Sequence, residues 1–139
     1  MITQLSSRET HELLNQQRFG RLGCSLDGEP YVVPVNYLMV EENIYIHSLA
    51  GHKINILRAN PRACLQVDDI RDEFNWRSVI ATGAYEELTD PEERERMLNR
   101  LLQRQPNLTP VESAMTPGDD KVILFCIRVD RITGLAEHW

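Results

Sequence analysis

The chain has 139 residues, which is within the usual size of one domain, so we expect a single domain spanning residues 1–139. Because 42% of the residues are hydrophobic and 26% are charged, the composition excludes a fibrous or wholly disordered chain. The net charge of −6 argues against binding nucleic acid or an anionic membrane through a general positive field. No apolar run is long enough to cross a bilayer and residues 1–12 do not resemble a signal peptide, so we expect a cytoplasmic protein.

The first half of the chain predicts a helix followed by three strands. Ser6 and Glu9 have the spacing of a capping box, and the helix is expected to run to about Arg18. The strands are expected at residues 19–26, 31–40 and 44–48, and Asp27-Gly28 is typical of a tight turn between the first two. Three dispersed cysteines, Cys24, Cys64 and Cys126, lie in these and later apolar segments and are expected to be buried free thiols.

The strand predicted at 31–40 is apolar on both faces. Its odd-numbered residues from Tyr31 to Met39 lie on one face and its even-numbered residues on the other. One of these faces would fill a barrel, and the other would be covered by something else, such as a cofactor or a second subunit. Pro34 cannot donate a hydrogen bond to a neighbouring strand, so this part of the strand is expected at an edge, at a bulge or where pairing stops.

The second half predicts alternating short elements rather than a regular repeat of strand and helix. A helix is expected at 51–59, strands at about 62–68 and 76–88 around a charged loop at 69–75, and a helix from Asp90 to about Arg104 that packs on the barrel as a lid. A linker marked by Pro106, Pro110, Pro117 and Gly118 precedes a last strand at 121–129, which trails into 131–134. About six strands with short turns favour a closed or nearly closed antiparallel barrel over a parallel sheet.

The segment from Ile44 to Lys53 carries the clearest chemical pattern. A strand enters a helix through Gly51, and His52 and Lys53 stand at the helix start. The free amides and positive end of the helix favour a phosphate, Gly51 allows close approach of the backbone, and the two side chains can supply charge. The alternative is a solvated helix start that binds nothing.

Several short motifs follow one another along the chain: Pro34-Val35-Asn36, His47-Ser48, Gly51-His52-Lys53, Arg58-Ala59-Asn60-Pro61, Trp76-Arg77-Ser78-Val79 and Gly83. In these motifs and in their order, the chain resembles the FMN-binding split-barrel family of pyridoxamine 5′-phosphate oxidase-related proteins, in its nitroimidazole-reductase-like branch. The resemblance implies a mainly β (α+β) fold, a six-stranded antiparallel split β-barrel with a few peripheral helices. It also implies a homodimer with FMN at the two-fold interface.

The resemblance further implies a role for each matching residue. His52 and Lys53 would hold the FMN phosphate beside Gly51. The remaining contacts would come from the backbone of Val33, Pro34, Val35 and Asn36 along the ring, from Ile46, His47 and Ser48 beside the ring and ribityl chain, and from Arg77 and Ser78, which complete the pocket. Related proteins carry a histidine matching His47, which makes it the candidate catalytic residue; the alternative is a side chain that bonds a neighbouring strand or faces water. Trp76 is expected to pack rather than to stack on a flavin.

The working hypothesis is an FMN-dependent oxidoreductase that transfers electrons or hydride from a nicotinamide donor to a small planar acceptor. The C-terminus departs from that of pyridoxamine 5′-phosphate oxidase proper, so oxidation of pyridoxine 5′-phosphate is not expected. Two alternatives stay open: a non-catalytic flavin-binding or storage module, and a haem protein using His11, His47, His52 or His138. The sequence has no Cys-x-x-Cys or His-x-x-x-His pair, so no metal site is predicted. It has no Gly-x-Ser-x-Gly elbow and no P-loop, so serine-hydrolase and P-loop nucleotide chemistry have no motif support.

Overall fold

The computed structural model describes residues 1–104 and 122–138, which form one eight-stranded sheet and three helices. The strands are β1 (Ile2–Gln4), β2 (Phe19–Leu26), β3 (Glu29–Asn36), β4 (Leu38–Val40), β5 (Asn43–Leu49), β6 (Arg62–Asp72), β7 (Asn75–Glu87) and β8 (Val122–Glu137). The helices are α1 (Ser7–Gln16), α2 (His52–Ala59) and α3 (Pro91–Gln103). Every pair of neighbouring strands is antiparallel, so the prediction of a mainly β, antiparallel split-barrel fold is confirmed, with eight strands rather than six.

The sheet curls without closing on itself. Its strand order is β3-β2-β6-β7-β8-β5-β4, and β1 pairs with β8. The two end strands, β3 and β4, are consecutive in the chain and are joined only by Tyr37. Extending the β4–β5 register, in which Leu38 lies opposite Tyr45, would place Asn36 opposite His47, but that pairing stops at Leu38 and β3 is paired only with β2 on its other edge. A gap that we call the seam therefore lies between residues 33–36 of β3 and residues 46–48 of β5.

Tyr37 explains why the single strand expected at 31–40 is two strands. Its side chain is only 2% exposed, and its hydroxyl donates to the carbonyl of Leu14 over 2.6 Å. Its backbone amide donates to the carbonyl of Arg18 over 3.0 Å. The amide bond continues the β2–β3 register one step beyond the pair of Phe19 and Asn36, whereas Leu38 begins the pairing of β4 with β5, so the chain changes its partner strand at Tyr37.

The core has two layers that share the curled sheet. The barrel interior is filled from α1, α2 and the inward face of the strands, and it includes Val35, Tyr37 and Met39, so the odd-numbered residues of β3 and β4 are the ones that face inward. The second cluster lies between α3 and the other side of β4, β5 and β8, where Met97, Leu98 and Leu101 pack against Leu38 and Tyr45. The packing of α3 on the barrel is thus confirmed.

The even-numbered face of β3 and β4 has two different surroundings. Leu38 is buried beneath α3, whereas Val32 is 67% exposed and Pro34 is also exposed. In this chain, protein therefore covers only the second half of that face.

Local turn and cap signals are confirmed by the backbone. The capping box of Ser6 and Glu9 is present, and Asp27 and Gly28 both have positive φ, at 51° and 81°. Gly83 serves a close approach, because an added Cβ would lie 2.1 Å from the carbonyl oxygen of Arg128. It sits where the β7–β8 register shifts.

Three boundaries differ from the sequence expectation. Residues 2–4 form β1, the expected loop at 69–75 is mostly β6 and β7, and β8 continues to Glu137. Lys121 and the expected linker of prolines and Gly118 lie outside the described residues. Within the described residues all three cysteines are free; Cys24 and Cys126 are buried, as predicted, while Cys64 is only partly buried.

Across residues 1–104 and 122–138, no helix has the length and apolar character required to span a bilayer.

Candidate functional site

The start of α2 is open and uncapped. Gly51 is its N-cap residue, with extended backbone at φ 173° and ψ −163°, and no side chain caps the first turn. An added Cβ at Gly51 would meet no atom within 4 Å. Since neither backbone strain nor crowding requires a glycine here, its smallness leaves the helix amides accessible from outside.

Two basic side chains follow at once. The exposed His52 ring stands edge-on to Tyr31 of β3, with ring centroids 5.1 Å apart. Lys53 is partly buried, and this burial lowers the pKa of its ammonium group. Lys53 has no hydrogen bond or ion pair with any residue in the described part of the chain. An anion bound at this helix start would supply the charge partner that the protein does not provide.

The structure brings most of the predicted cofactor residues to the seam. Residues 33–36 lie on β3, an edge strand as Pro34 predicts, and α2 begins beside Tyr31 at one end of this stretch. Across the seam, Ile46 and Ser48 face the barrel interior, with 1% and 4% of their surface exposed. The Ser48 hydroxyl donates to the carbonyl of Leu49.

His47 points to the other side of β5 from Ile46 and Ser48. Strand alternation places it on the face of Tyr45, which packs in the cluster under α3. The imidazole is partly buried, and its Nε2 atom is buried. His47 and its two neighbours therefore border the seam from opposite faces of the strand.

Arg77 and Ser78 lie away from the seam. They are on β7, three strands from β3 in the sheet, or about 14 Å at the usual strand spacing. The Arg77 side chain is 12% exposed, faces the barrel interior and lies 3.6 Å from Asp69. Ser78 faces outward, where its hydroxyl accepts a hydrogen bond from Gln66. As neighbours in one strand, the two side chains cannot line the same side of a pocket in this chain.

Sequence reasoning missed Arg104, which reaches the seam from the end of α3. Its Nη1 donates to the carbonyl of Tyr37 over 2.8 Å, and its Nη2 donates to the carbonyl of Gln17 over 3.3 Å. In the sequence, Arg104 is one of several basic residues on a polar helix, so no local signal distinguishes it.

The outward side of β2, β3, β6 and β7, which we call the outer face, exposes several large apolar side chains. Cross-strand register places Pro34, Arg21, Gln66 and Ile80 in one row of this face. Its exposed apolar residues include Phe19 (63%), Val32 (67%), Ile70 (64%) and Ile80 (42%). A shallow cavity of about 500 Å³ lies here and is lined in part by Val32, Cys64 and Ile80.

A second cavity, of about 560 Å³, lies near the start of α3 and contains none of the predicted site residues. Its two arginines already have partners, since Arg58 pairs with Glu87 and Arg94 donates to the carbonyl of Val122. The open helix start at Gly51 is therefore the better candidate for an anion site.

Known proteins resemble the chain over nearly its whole length. A Rhizobium meliloti (strain 1021) protein of uncharacterized function is 33% identical over 141 residues, covering 95% of this chain and 93% of its own. A FAD-binding protein from Mesorhizobium loti has a crystal structure with 31% identity and a TM-score of 0.79, covering 98% of both chains. A putative 5-nitroimidazole antibiotic resistance protein from Bacteroides thetaiotaomicron shares the fold, with 21% identity and a TM-score of 0.77 over 98% of this chain and 87% of its own.

The family model for pyridoxamine 5′-phosphate oxidase matches residues 6–136, which include the seam, the start of α2 and both core clusters. With this match and the antiparallel split barrel, the chain belongs to the pyridoxamine 5′-phosphate oxidase family.

Proposed function

We propose that this protein binds a flavin, FMN, with its phosphate at the start of α2 and its ring along the seam. The observation that carries the proposal is Lys53, a partly buried cation without an acidic partner among the described residues, beside an uncapped helix start. The 31% identity to a FAD-binding protein of known structure supports a flavin as the ligand.

Each part of the proposed site would have a distinct task. The α2 amides and Lys53 would bind the phosphate, and His52 would add a second donor held by its contact with Tyr31. The free edge of β3 at residues 33–36 would supply backbone groups to the ring, because Pro34 stands in a strand that has no ladder partner on that side. Ile46 and Ser48 would border the ring and ribityl chain from β5.

The proposed activity is a flavin-dependent oxidoreductase reaction between a nicotinamide donor and a small planar acceptor. A bound flavin supplies hydride and electron transfer at its ring, so the protein has to bind and orient the reactants. His47 is the proposed proton-handling residue, because the β4–β5 register would place it opposite Asn36 across the seam.

A homodimer through the outer face is part of the proposal. The exposed apolar residues of this face would be buried by a second copy. Arg21 and Asp68 on the same face pair with each other, so neither of them would enter the interface as an unpaired charge.

The binding proposal is tested by titrating purified, flavin-free protein with FMN and with FAD while following flavin fluorescence. Lys53→Ala should weaken FMN by about 10- to 150-fold, which corresponds to the loss of one charge-assisted hydrogen bond of about 1.5–3 kcal/mol. Arg8→Ala is the matched control, because it removes a positive charge from a side chain that is 88% exposed on α1. Absence of flavin binding by the wild type, or equal affinity in both variants, would refute the proposed site.

Turnover separates the enzyme from a storage module. Steady consumption of NADH or NADPH with a nitroaromatic acceptor, dependent on FMN and altered in pH profile by His47→Gln, is the expected result. Tight FMN binding with no consumption of either nicotinamide would favour the module. A haem spectrum in the purified protein would instead favour the haem-binding alternative.

The dimer is tested by light scattering on size-exclusion chromatography. Ile80→Glu should convert a dimer to a monomer, because it places a charge on the outer face, whereas Leu49→Glu should not. Leu49 is a fair control, since it is 43% exposed against 42% for Ile80 and lies off the outer face. A monomeric wild type would contradict this part of the proposal.

A further inference from the structure

We propose that Arg104, at the end of α3, is a positioning residue for β3, and that it acts by fixing the backbone at Tyr37, where the seam ends and the pairing of β4 with β5 begins. The inference rests on the proposed function, because it concerns how residues 33–36 are held for a flavin. It also assigns α3 a role beyond covering the second core cluster.

Arg104 joins three parts of the chain that are distant in sequence. Its guanidinium donates to the carbonyl of Tyr37 over 2.8 Å and to the carbonyl of Gln17 over 3.3 Å. Its own carbonyl accepts a hydrogen bond of 2.7 Å from Arg18. A single partly buried residue thus ties α3 to the end of α1 and to the junction between β3 and β4.

Tyr37 is the residue at which this tie can affect the seam. It directly follows Asn36, and its amide, carbonyl and hydroxyl are all hydrogen-bonded, to Arg18, Arg104 and Leu14 respectively. Residues 33–36 have ladder bonds on their β2 side only, so their other side is not fixed by a neighbouring strand. The bonded Tyr37 peptide is therefore the anchor that sets where β3 stops and how wide the seam opens.

The guanidinium is suited to this task because its planar fork donates to two carbonyls at once. A lysine could donate to the Tyr37 carbonyl but could not hold both carbonyls in the same geometry. If the strand occupies its binding-competent position for a smaller fraction of the time, the apparent affinity for flavin falls by that fraction. Loss of Arg104 should therefore weaken flavin binding without removing any group that contacts the flavin.

The test compares Arg104→Ala, Arg104→Lys and Arg100→Ala by FMN titration and by the visible circular dichroism of the bound flavin. Arg100 is the matched control, because it is an exposed arginine one turn earlier on α3. Arg104→Ala should raise the FMN dissociation constant about tenfold and alter the flavin circular dichroism at saturation. Arg104→Lys should recover part of the affinity, and Arg100→Ala should match the wild type.

Hydrogen exchange gives a second readout on flavin-free protein. Amides of residues 33–40 should exchange faster in both Arg104 variants, while those of β6 and β7 keep their wild-type protection. If Arg104→Ala does not fold, Arg104→Lys carries the comparison. Wild-type FMN affinity, dichroism and exchange in the variants would overturn the role of Arg104 while leaving the proposed function intact; failure of the wild type to bind FMN would overturn both.

Discussion

Replacing Gly51 by alanine should separate flavin affinity from folding stability at one position. In the free protein an added Cβ would meet no atom within 4 Å, and the extended φ of 173° is one that alanine adopts. Alanine is a poorer N-cap residue than glycine, but it lowers the entropy of the unfolded chain; each effect is worth about 0.5–1 kcal/mol, with opposite sign. The free energy of unfolding should therefore change by less than about 1 kcal/mol.

Flavin affinity should respond far more strongly to the same change. The methyl group would stand over the α2 amides, where the phosphate is proposed to bind, and would force the anion away from its donors. Losing one or two charge-assisted hydrogen bonds corresponds to a dissociation constant at least about tenfold higher.

Urea unfolding and FMN fluorescence titration on the same preparation measure the two quantities separately. Unchanged FMN affinity in Gly51→Ala, with wild-type stability, would refute the placement of the phosphate at this helix. A large loss of stability would instead show that the open space at Gly51 is needed for folding.

Two further predictions concern stability. Gly83→Ala should lower the free energy of unfolding by more than about 2 kcal/mol, measured by urea unfolding, because its Cβ would lie 2.1 Å from the Arg128 carbonyl oxygen; a wild-type midpoint would contradict this. His11, whose ring nitrogens lie 2.7 Å from the Ser7 carbonyl and from Glu42, has a pKa raised by these hydrogen bonds. A raised folded-state pKa stabilises most below the unfolded value of about 6.5, so His11→Ala should destabilise more at about pH 5.5 than at about pH 8.5; equal losses at both pH values would contradict it.

Local signals in the sequence predicted much of the fold. The capping box at Ser6, the positive φ at Asp27 and Gly28, and the edge position of Pro34 each follow from the conformational limits of single residues. The grouping of residues 33–36, 46–48 and 51–53 also follows, because a hairpin and a strand-to-helix turn are short-range features.

Features that depend on distant partners were not predictable in this way. The bonds that hold Tyr37 depend on the Leu14 carbonyl of α1 and on Arg104, which is 67 residues later in the chain. Strand β1 has three exposed residues, and only its pairing with the end of β8 makes it a strand.

The separation of Arg77 from Ser78 had a signal that could have been used. Val79 and Ala81 are apolar and buried, so the two-residue period of a strand places Arg77 on their side and Ser78 on the opposite side. The alternation alone therefore argues against a shared pocket for the two side chains within one chain.

The prolines of β3 have a consequence for solubility. Pro30 and Pro34 are four residues apart, so the amide donors they lack belong to the same side of the strand. Since β3 pairs with β2 throughout its length, that side is the one facing away from β2. A stray strand from another molecule would find two donors missing there, which discourages edge-to-edge aggregation while leaving the strand open to a small ligand.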